Sequence, residues 1–310
     1  LMSSLYTGMT NEYGMSSSID EFAEKAQFVG ALNYKSIWEV WNYNKLNYGD
    51  RYTSGLLYWY HNSPIRQVSG RMWDWSLEPT AALYATQNAC EPLHPQFDYL
   101  KNTVSVVNDY YQSFSNYKVT AEVYDLNMKK IFSKEAVIDL PEDGVLNDIF
   151  EIDFSKSTTS IQFIKLKLLD KANKQVGSNF YWRSNNKYEG PKTITGPATA
   201  GFQDIKKLKK TRVTVKQSTS VSNGKHFIDL DLKNTGRTLS FFTQIQWLDI
   251  NGKPVRPSFY TDNFICLMPG ESNKVRIETN LNKLDQEEYL LVIKGFNIDR
   301  QEFRIKIKRT

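Results

Sequence analysis

Residues 55–64 read GLLYWYHNSP, an apolar run that ends in the side chains of Trp59, Tyr60, His61 and Asn62. The run follows a glycine, is rich in aromatic residues and stops at Asn-Ser-Pro, which is typical of a short buried strand. A sugar offers an apolar C–H face for stacking on a ring, and hydroxyl groups that bond to amide and imidazole groups. The end of this run is therefore a candidate carbohydrate contact.

Composition limits the classes of protein to consider. The 310 residues are 40% hydrophobic and 14% aromatic, which is enough for a sizeable core and predicts two or three domains. No stretch approaches the roughly 20 apolar residues of a membrane span, and residues 1–15 lack the pattern of a signal peptide. Residues 196–310 hold 20 Lys and Arg against 12 Asp and Glu. Their densest cluster, KKLKK at 206–210, has no nucleic-acid motif beside it, so we interpret it as a solvated surface and expect no nucleic-acid partner.

Two helices are predicted on either side of this run. The first extends from Ile19 to about Asn44 and can be capped by the serines at 16–18. Its apolar positions follow helical spacing: Ile19, Phe22, Ala23, Ala26, Val29, Leu32, Ile37, Val40 and Trp41. The second extends from about Pro79, which suits a first turn, to Asn88. With a strand at 55–61 between them, the order helix, strand, helix indicates part of a layered α/β fold.

After Pro92 the hydrophobic pattern has a period of two residues, which predicts strands. One set is predicted at 103–108, 117–125, 146–154, 161–169 and 175–182. A second set is predicted at 212–221, 226–234, 239–248, 273–279, 288–296 and 301–308. Residues 185–201 separate the two sets with three glycines and two prolines, and Asn251-Gly252 predicts a hairpin. Each set has the size and texture of an immunoglobulin-like sandwich.

Several stretches resemble a known family when they are taken in order. SIDEFAEKAQFVGALNYKSIWEVWN (18–42), YTSGLLYWYHNS (52–63) and NACEPLHPQFDY (88–99) resemble the end of the catalytic barrel in family 2 glycoside hydrolases. NFYWRS (179–184), FQDIKKL (202–208) and TDNFICLMPGES (261–272) resemble the two sandwich domains that follow that barrel. The resemblance is to the exo-β-glucosaminidases and endo-β-mannosidases, and it spans nearly the whole chain.

The resemblance implies a mixed fold class, in which the C-terminal fragment of a TIM (β/α)8 barrel precedes two immunoglobulin-like β-sandwich domains. The implied domains are 1–94 for the barrel fragment, 95–195 for the first sandwich and 196–310 for the second. The run at 55–64 would be the eighth barrel strand, and barrel enzymes bind substrate at the C-terminal ends of their strands.

The substrate-binding residues implied by this position are Trp59, His61 and Asn62. Trp59 resembles the family tryptophan that packs beside the sugar, and Asn62 resembles its polar companion. A histidine hydrogen-bonded within the barrel is an equally open interpretation for His61. The sequence departs from the family at 63–65, where Ser-Pro-Ile stands in place of a further tryptophan.

A retaining glycosidase needs two carboxylates about 5 Å apart, one as nucleophile and one as acid/base. The resemblance implies that both precede this chain, so we expect no catalytic residue here and no activity from the chain alone. Glu12, Asp74 and Glu91 do not match the nucleophile strand and are interpreted as loop, cap or ion-pair carboxylates. The histidines and cysteines lack metal-ligand spacing, so no metal and no cofactor is expected.

The expected function is therefore the C-terminal portion of a retaining family 2 glycoside hydrolase that acts on β-linked glucosaminides or mannosides. Its expected partners are a β-linked oligosaccharide and the remainder of the catalytic barrel, with no membrane span. The complete enzyme is expected to be periplasmic or secreted. The alternative, from another class of protein, is a stand-alone carbohydrate-binding or adhesive β-sandwich module.

Overall fold

The computed structural model describes residues 9–45, 55–59, 61–65, 71–186 and 201–307. The chain divides into two compact units, one of Leu1–His61 with Ala85–Lys207 and one of Asn62–Tyr84 with Leu208–Thr310. Most of the predicted connection at 185–201 lies outside the described residues. Among the described residues, no helix combines the length and the apolar character needed to cross a membrane.

Helix α1 (Ile19–Tyr43) and helix α2 (Ala81–Ala89) confirm the two predicted helices. Ser18 caps α1, because its Oγ accepts a hydrogen bond of 3.1 Å from the backbone N–H of Glu21. Acidic side chains in the first turn also favour the positive end of the helix dipole.

The buried side of α1 matches the apolar spacing only in part. Its buried residues are Lys25, Phe28, Val29, Ala31 and Glu39, whereas Ile37, Val40 and Trp41 are 48%, 57% and 42% exposed. Lys25 is buried because its Nζ donates to the backbone carbonyls of Gly14 and Met15, and Glu39 because it bonds to side chains of the first sandwich. An apolar stripe, defined by Ile37, Val40 and Trp41, is left on the accessible side of the helix.

The first sandwich lies in the unit that contains α1. Its seven strands are β1 (Leu93–Asp98), β2 (Thr103–Asn108), β3 (Phe114–Asp125), β4 (Lys130–Leu140), β5 (Gly144–Glu151), β6 (Ile161–Leu169) and β7 (Gln175–Ser184). They form two antiparallel sheets with the orders β1-β2-β5 and β4-β3-β6-β7. Alternate residues of both sheets fill the core between them, as in an immunoglobulin-like sandwich.

Strands β1 and β7 approach each other closely at Gly177. A Cβ atom at this position would lie 2.6 Å from the carbonyl oxygen of Leu93 and 3.2 Å from Cδ of Pro95. Only glycine fits such an approach without displacing the backbone. The approach places the polar side chains of β7 beside those of β1.

The second sandwich lies in the other unit. Its eight strands are β8 (Val213–Ser222), β9 (Lys225–Asn234), β10 (Ser240–Asp249), β11 (Ser258–Tyr260), β12 (Ile265–Leu267), β13 (Ser272–Asn280), β14 (Glu288–Gly295) and β15 (Ile298–Lys306). The sheet orders are β11-β13-β9-β8 and β12-β10-β14-β15. Trp247, which is 1% exposed, packs in the core against Tyr289 with ring centroids 5.2 Å apart.

The eleven predicted strands of the two sandwiches are confirmed, most of them to within three residues at each end. The pattern missed β1, β4, β11 and β12. β4 has a mostly exposed surface, and β11 and β12 have three residues each, so none of these three strands carries a long apolar alternation. β1 has the sequence LHPQFD, in which histidine, proline and glutamine interrupt the apolar pattern.

Four tight turns share one local design. In each, an aspartate carboxylate accepts hydrogen bonds of 2.7–2.9 Å from the backbone N–H groups two and four residues later. The residue three positions after the aspartate has a positive φ, between 60° and 79°. The four turns begin at Asp74, Asp125, Asp170 and Asp249. The last contains Asn251-Gly252 and confirms the predicted hairpin.

The predicted strand at 55–61 is wrong for the residues that are described there. Residues 55–59 and His61 are not in a strand, and Tyr60 lies outside the described residues. The neighbouring pairing is an isolated parallel bridge between Asn62 and Trp73. A strand requires a continuous ladder of hydrogen bonds with a neighbour, which one bridge does not supply.

Candidate functional site

The candidate substrate-contacting segment is 55–59 with His61. The side chain of Trp59 is 76% exposed and that of Leu57 is fully exposed, and His61 is exposed as well. The segment is held to α1 at Tyr58, whose hydroxyl shares a hydrogen bond with that of Tyr34. The two rings meet edge to face with centroids 5.4 Å apart. Trp59 thus presents an accessible ring on a tethered segment, as stacking on a sugar requires.

A separate accessible ring lies in the loop 71–80, which belongs to the other unit together with the exposed residue Asn62. The backbone of Trp73 forms isolated bridges with Asn62 and Pro79. The turn at Asp74 fixes the loop, since the carboxylate also accepts a bond of 2.7 Å from the hydroxyl of Ser76. The following residue, Trp75, is 45% exposed. The loop therefore holds an accessible indole on a rigid turn.

The carboxylates of this loop are engaged in structure. The Oδ1 atom of Asp74 accepts the turn bonds described above, which supports its interpretation as a loop carboxylate. Glu78 pairs with Arg256, whose Nε lies 2.8 Å from Oε1 of the glutamate. Burial raises the pKa of Glu78, although the guanidinium of Arg256 opposes this shift. The pair of Glu78 and Arg256 joins the loop to the sandwich of its unit, and the carboxylate of Asp74 fixes the turn within the loop.

A buried polar cluster lies where α1 meets the first sandwich, and we call it the Glu39 cluster. It consists of Glu39 on α1, His94 and Gln96 on β1, and Asn179 and Tyr181 on β7. The Oε1 atom of Glu39 lies 2.9 Å from Nε2 of His94 and accepts bonds of 2.8 Å from Asn179 and 2.7 Å from Tyr181. Gln96 donates a bond of 3.0 Å to the backbone carbonyl of Glu39.

Lys35 adds a positive charge at the edge of the Glu39 cluster. Its Nζ donates to Oδ1 of Asn179 at 2.6 Å and lies 4.9 Å from the ring centroid of Tyr181. Burial, and next the charge of Glu39, raise the pKa of Tyr181 well above its ordinary value. All five members of the cluster are at most 5% exposed, so no substrate reaches them. The arrangement positions α1 on the sandwich.

The Glu39 cluster is not evident from the sequence, because His94 is isolated in sequence and Glu39 has the features of an ordinary helix residue. The one local signal is a charged residue within the aromatic run IWEVW at 37–41. Glu12, another candidate carboxylate, accepts a bond of 2.6 Å at its backbone carbonyl from Phe202. Among the residues described, no group of three or more His, Cys, Asp or Glu side chains is placed to hold a metal ion.

Two family profiles match the sandwich regions. The profile of a mannosidase Ig/CBM-like domain matches residues 101–188, and that of the exo-β-D-glucosaminidase Ig-fold domain matches residues 193–298. The two sandwiches are Ig-fold domains of the exo-β-glucosaminidase and mannosidase family. This family is part of glycoside hydrolase family 2, which confirms the resemblance found in the sequence.

Relatives in this family align with nearly the whole chain. An exo-β-D-glucosaminidase from Streptomyces avermitilis is 26% identical over 308 residues, which cover 94% of this chain and 34% of the relative. A mannosylglycoprotein endo-β-mannosidase from Lilium longiflorum is 24% identical over 315 residues, which cover 86% of this chain and 33% of the relative. The chain thus spans about a third of the length of these relatives.

A solved structure supports the fold over the same extent. The crystal structure of an exo-chitosanase from Amycolatopsis orientalis superposes with a TM-score of 0.87 at 24% identity. The superposition covers 96% of this chain and 36% of that enzyme. At this identity the likeness shows the fold alone.

Proposed function

We propose that this chain is the C-terminal portion of a retaining family 2 glycoside hydrolase that acts on β-linked glucosaminides or mannosides. The observation that carries the proposal is the alignment of 94% of the chain with about a third of an exo-β-D-glucosaminidase. An alignment that covers 94% of the chain supports more than two shared sandwich domains. It supports a common arrangement that includes α1, the segment 55–65 and α2.

On this proposal residues 1–94 are the end of a (β/α)8 barrel, residues 95–195 the first sandwich and residues 196–310 the second. The apolar stripe of α1 supports this assignment. A helix held on one side by the Glu39 cluster, with Ile37, Val40 and Trp41 accessible on the other, fits a helix between a sandwich and further barrel elements. In the complete barrel the segment at 55–61 would gain the neighbouring strands that it needs for a ladder.

The proposed roles follow from chemistry and exposure. Trp59 stacks on the apolar face of the sugar, and His61 and Asn62 donate or accept hydrogen bonds at its hydroxyl groups. The nucleophile and the acid/base belong to barrel strands that precede Leu1. The chain therefore supplies part of the sugar pocket and depends on the remaining barrel for hydrolysis.

Turnover of chromogenic substrates tests the proposal. A longer polypeptide that contains the upstream barrel residues is compared with the 310-residue chain on p-nitrophenyl β-D-glucosaminide and p-nitrophenyl β-D-mannoside. We expect the longer polypeptide to hydrolyse one of the two and the chain alone to hydrolyse neither. Turnover by the chain alone would contradict the assignment of the catalytic carboxylates, and a longer polypeptide inactive on both would contradict the substrate class.

A further inference from the structure

Strand β8 forms an open edge of the second sandwich. In the described part of the chain it pairs with β9 along its whole length and with no strand on its other side. The open side is covered only at its start, where the backbone carbonyl of Val213 accepts a bond of 2.9 Å from Nε2 of Gln301. Every residue from 216 to 222 is exposed. Most of this strand edge is therefore accessible to another chain.

The hairpin between β8 and β9 determines which backbone groups point to the open side. Its two turn residues, Asn223 and Gly224, have φ angles of 51° and 72°, as a type I′ turn requires. The residues that flank such a turn form a hydrogen-bonded pair, and these pairs alternate along the ladder with pairs that exchange no bond. Residues of odd number in β8 therefore direct N–H and C=O away from β9, as the bond from Gln301 to Val213 shows. The accessible backbone groups belong to Val215, Gln217, Thr219 and Val221.

The other sheet edges among the described residues are protected against pairing, as is usual in native proteins. β11 and β12 have three residues each, and β1 and β7 approach each other at Gly177. Register shifts interrupt the pairing of β4, β5 and β15 with their neighbours. In contrast, β8 has ten residues, an unshifted register, no proline and a single charged residue, Lys216. It is thus the edge best suited to accept another strand.

The sequence of β8 is complementary to itself about Ser218. When Ser218 lies opposite its own copy in an antiparallel pair, Gln217 lies opposite Thr219. In the same register Val215 lies opposite Val221, which is 37% exposed in the single chain and gains an apolar contact. These are the residues with accessible backbone groups, so the two copies can exchange about eight backbone hydrogen bonds.

Charge does not oppose this register. The single charged residue of the strand, Lys216, would lie opposite Ser220 of the other copy. The two lysines would be about 14 Å apart along the strands, which exceeds the roughly 8 Å over which exposed charges interact at physiological salt. Within its own sheet Lys216 lies opposite Asp231. Like charges are thus kept apart across the pair.

We propose that β8 pairs with β8 of a second copy of this chain, antiparallel and with Ser218 on the twofold axis. The sheet β11-β13-β9-β8 then continues into the second copy, and each copy presents the same edge to the other. Backbone bonds supply the affinity, and the side-chain pairs select the register. The interface belongs to the second sandwich and does not depend on hydrolysis, so its test is separate from that of the proposed function.

Sedimentation velocity of the 310-residue chain measures this association. We expect a dimer at about 100 μM that dissociates on dilution to about 1 μM, the range of weak specific complexes. Thr219→Pro removes an N–H on the open side and keeps the ladder with β9. Because the twofold axis removes that bond twice, dimerisation should weaken at least about tenfold. Thr219→Ala is the matched control, since it keeps the N–H and should associate as the parent chain does.

Charged variants of Ser218 test the register. Ser218→Lys and Ser218→Glu each place like charges opposite each other on the axis, so each variant alone should be monomeric. An equal mixture of the two variants should form a mixed dimer, because opposite charges then face each other. Ser133→Lys makes the same change at an exposed position of β4 and should leave the association unchanged.

A parent chain that is monomeric at about 100 μM would overturn the proposal. A dimer that persists in Thr219→Pro would also overturn it, because the interface would then lie elsewhere, for example on the apolar stripe of α1. Absence of a mixed dimer from the two Ser218 variants would contradict pairing about Ser218. Circular dichroism checks that the variants fold, and if Thr219→Pro does not fold, the Ser218 variants and their mixture decide.

Discussion

The Glu39 cluster and the segment around Trp59 both join aromatic rings to polar groups, yet they are built in opposite ways. Every member of the cluster is buried, and Glu39 accepts hydrogen bonds from two strands of the sandwich. In the segment, Trp59 is 76% exposed and Leu57 fully exposed. Polar groups that satisfy one another inside a protein stabilise an arrangement, whereas accessible rings and amides are available to a ligand.

The inward side of α1 holds both polar and apolar buried side chains, while its apolar stripe remains uncovered among the described residues. Lys25 and Glu39 are buried together with Phe28 and Val29, so the usual amphipathic arrangement holds only in part. On the proposed function, the apolar stripe would face further barrel elements. Variants of the Glu39 cluster and of the segment around Trp59 test the two regions separately.

Removing the carboxylate of the cluster is expected to have the largest effect. Glu39→Ala removes the carboxylate that accepts hydrogen bonds from Asn179 and Tyr181 and that lies 2.9 Å from Nε2 of His94. The free energy of unfolding should fall by about 3–5 kcal/mol, as for other broken buried charge networks. Chemical denaturation monitored by fluorescence measures it, with Glu135→Ala as the control.

Glu135 is exposed and lies 3.6 Å from Lys118, so its removal should change stability by less than about 1 kcal/mol. Equal effects of the two variants would show that the Glu39 cluster does not anchor α1.

Alkaline pH should loosen the same unit. Burial raises the pKa of Tyr99 and Tyr181 well above their ordinary value of 10.0. Because the folded state holds these protons more tightly, their contribution is complete below pH 10.0 and is lost as pH rises above it. Each such tyrosine should reduce the free energy of unfolding by about 1.4 kcal/mol per pH unit in that window.

This slope is checked by measuring the free energy of unfolding of Tyr99→Phe between about pH 9 and 12. That range spans the ordinary tyrosine pKa of roughly 10. The variant should lose less stability per pH unit than the parent chain, whereas Tyr111→Phe, which alters a side chain that is 87% exposed, should keep the parent slope. Identical slopes for all three proteins would rule out Tyr99 as a cause.

The turn at Asp74 is expected to matter less. Asp74→Ala removes the acceptor for the N–H groups of Ser76 and Glu78 and should cost about 1 kcal/mol of stability. Leu77→Gly should instead be neutral or stabilising, because Leu77 has a φ of 62° that glycine adopts without steric strain. Thermal unfolding of the two variants measures these opposite signs, and a loss of stability in Leu77→Gly would contradict this description of the turn.

Trp59→Ala is expected to have the smallest effect on stability. Because the side chain is 76% exposed, the free energy of unfolding should change by less than about 0.5 kcal/mol. In the longer polypeptide the same change should lower kcat/KM at least about tenfold, as for lost stacking of a sugar on a ring. Leu57→Ala is the control, since it removes an exposed side chain without a ring. Comparable kinetics in the two variants would show that Trp59 does not contact the substrate.

Local hydrophobic patterns in the sequence predict most of the sandwich strands. β6 is predicted to the residue from its apolar pattern, and Asn251-Gly252 marks the hairpin after β10 because glycine readily takes the positive φ of 79° at position 252. The turns at Asp125 and Asp170 have the same geometry, but Met128 and Asn173 take the place of the glycine, so the glycine signal is missing. The aspartate at the start of each turn is the feature that all four share.

The features that the sequence did not predict depend on contacts with residues that are distant along the chain. The burial of Glu39 depends on residues that are 55 and more positions away, so helical spacing alone did not predict it. The run at 55–61 has the composition of a strand, but a strand forms only when a neighbour supplies its ladder. The roles of Trp59, His61 and Asn62 remain predictions from family resemblance, supported by the exposure of these residues.

Hydroxyl-radical footprinting of Trp41 and Trp59 tests the central claim, that the uncovered side of α1 belongs to a catalytic barrel. The 310-residue chain and the longer polypeptide are oxidised with and without oligosaccharide, and modification of each tryptophan is measured by mass spectrometry. The account predicts that Trp41 is protected in the longer polypeptide relative to the chain alone, and that saccharide protects Trp59 in the longer polypeptide. Equal oxidation of Trp41 in the two proteins, with no effect of saccharide on Trp59, would contradict it.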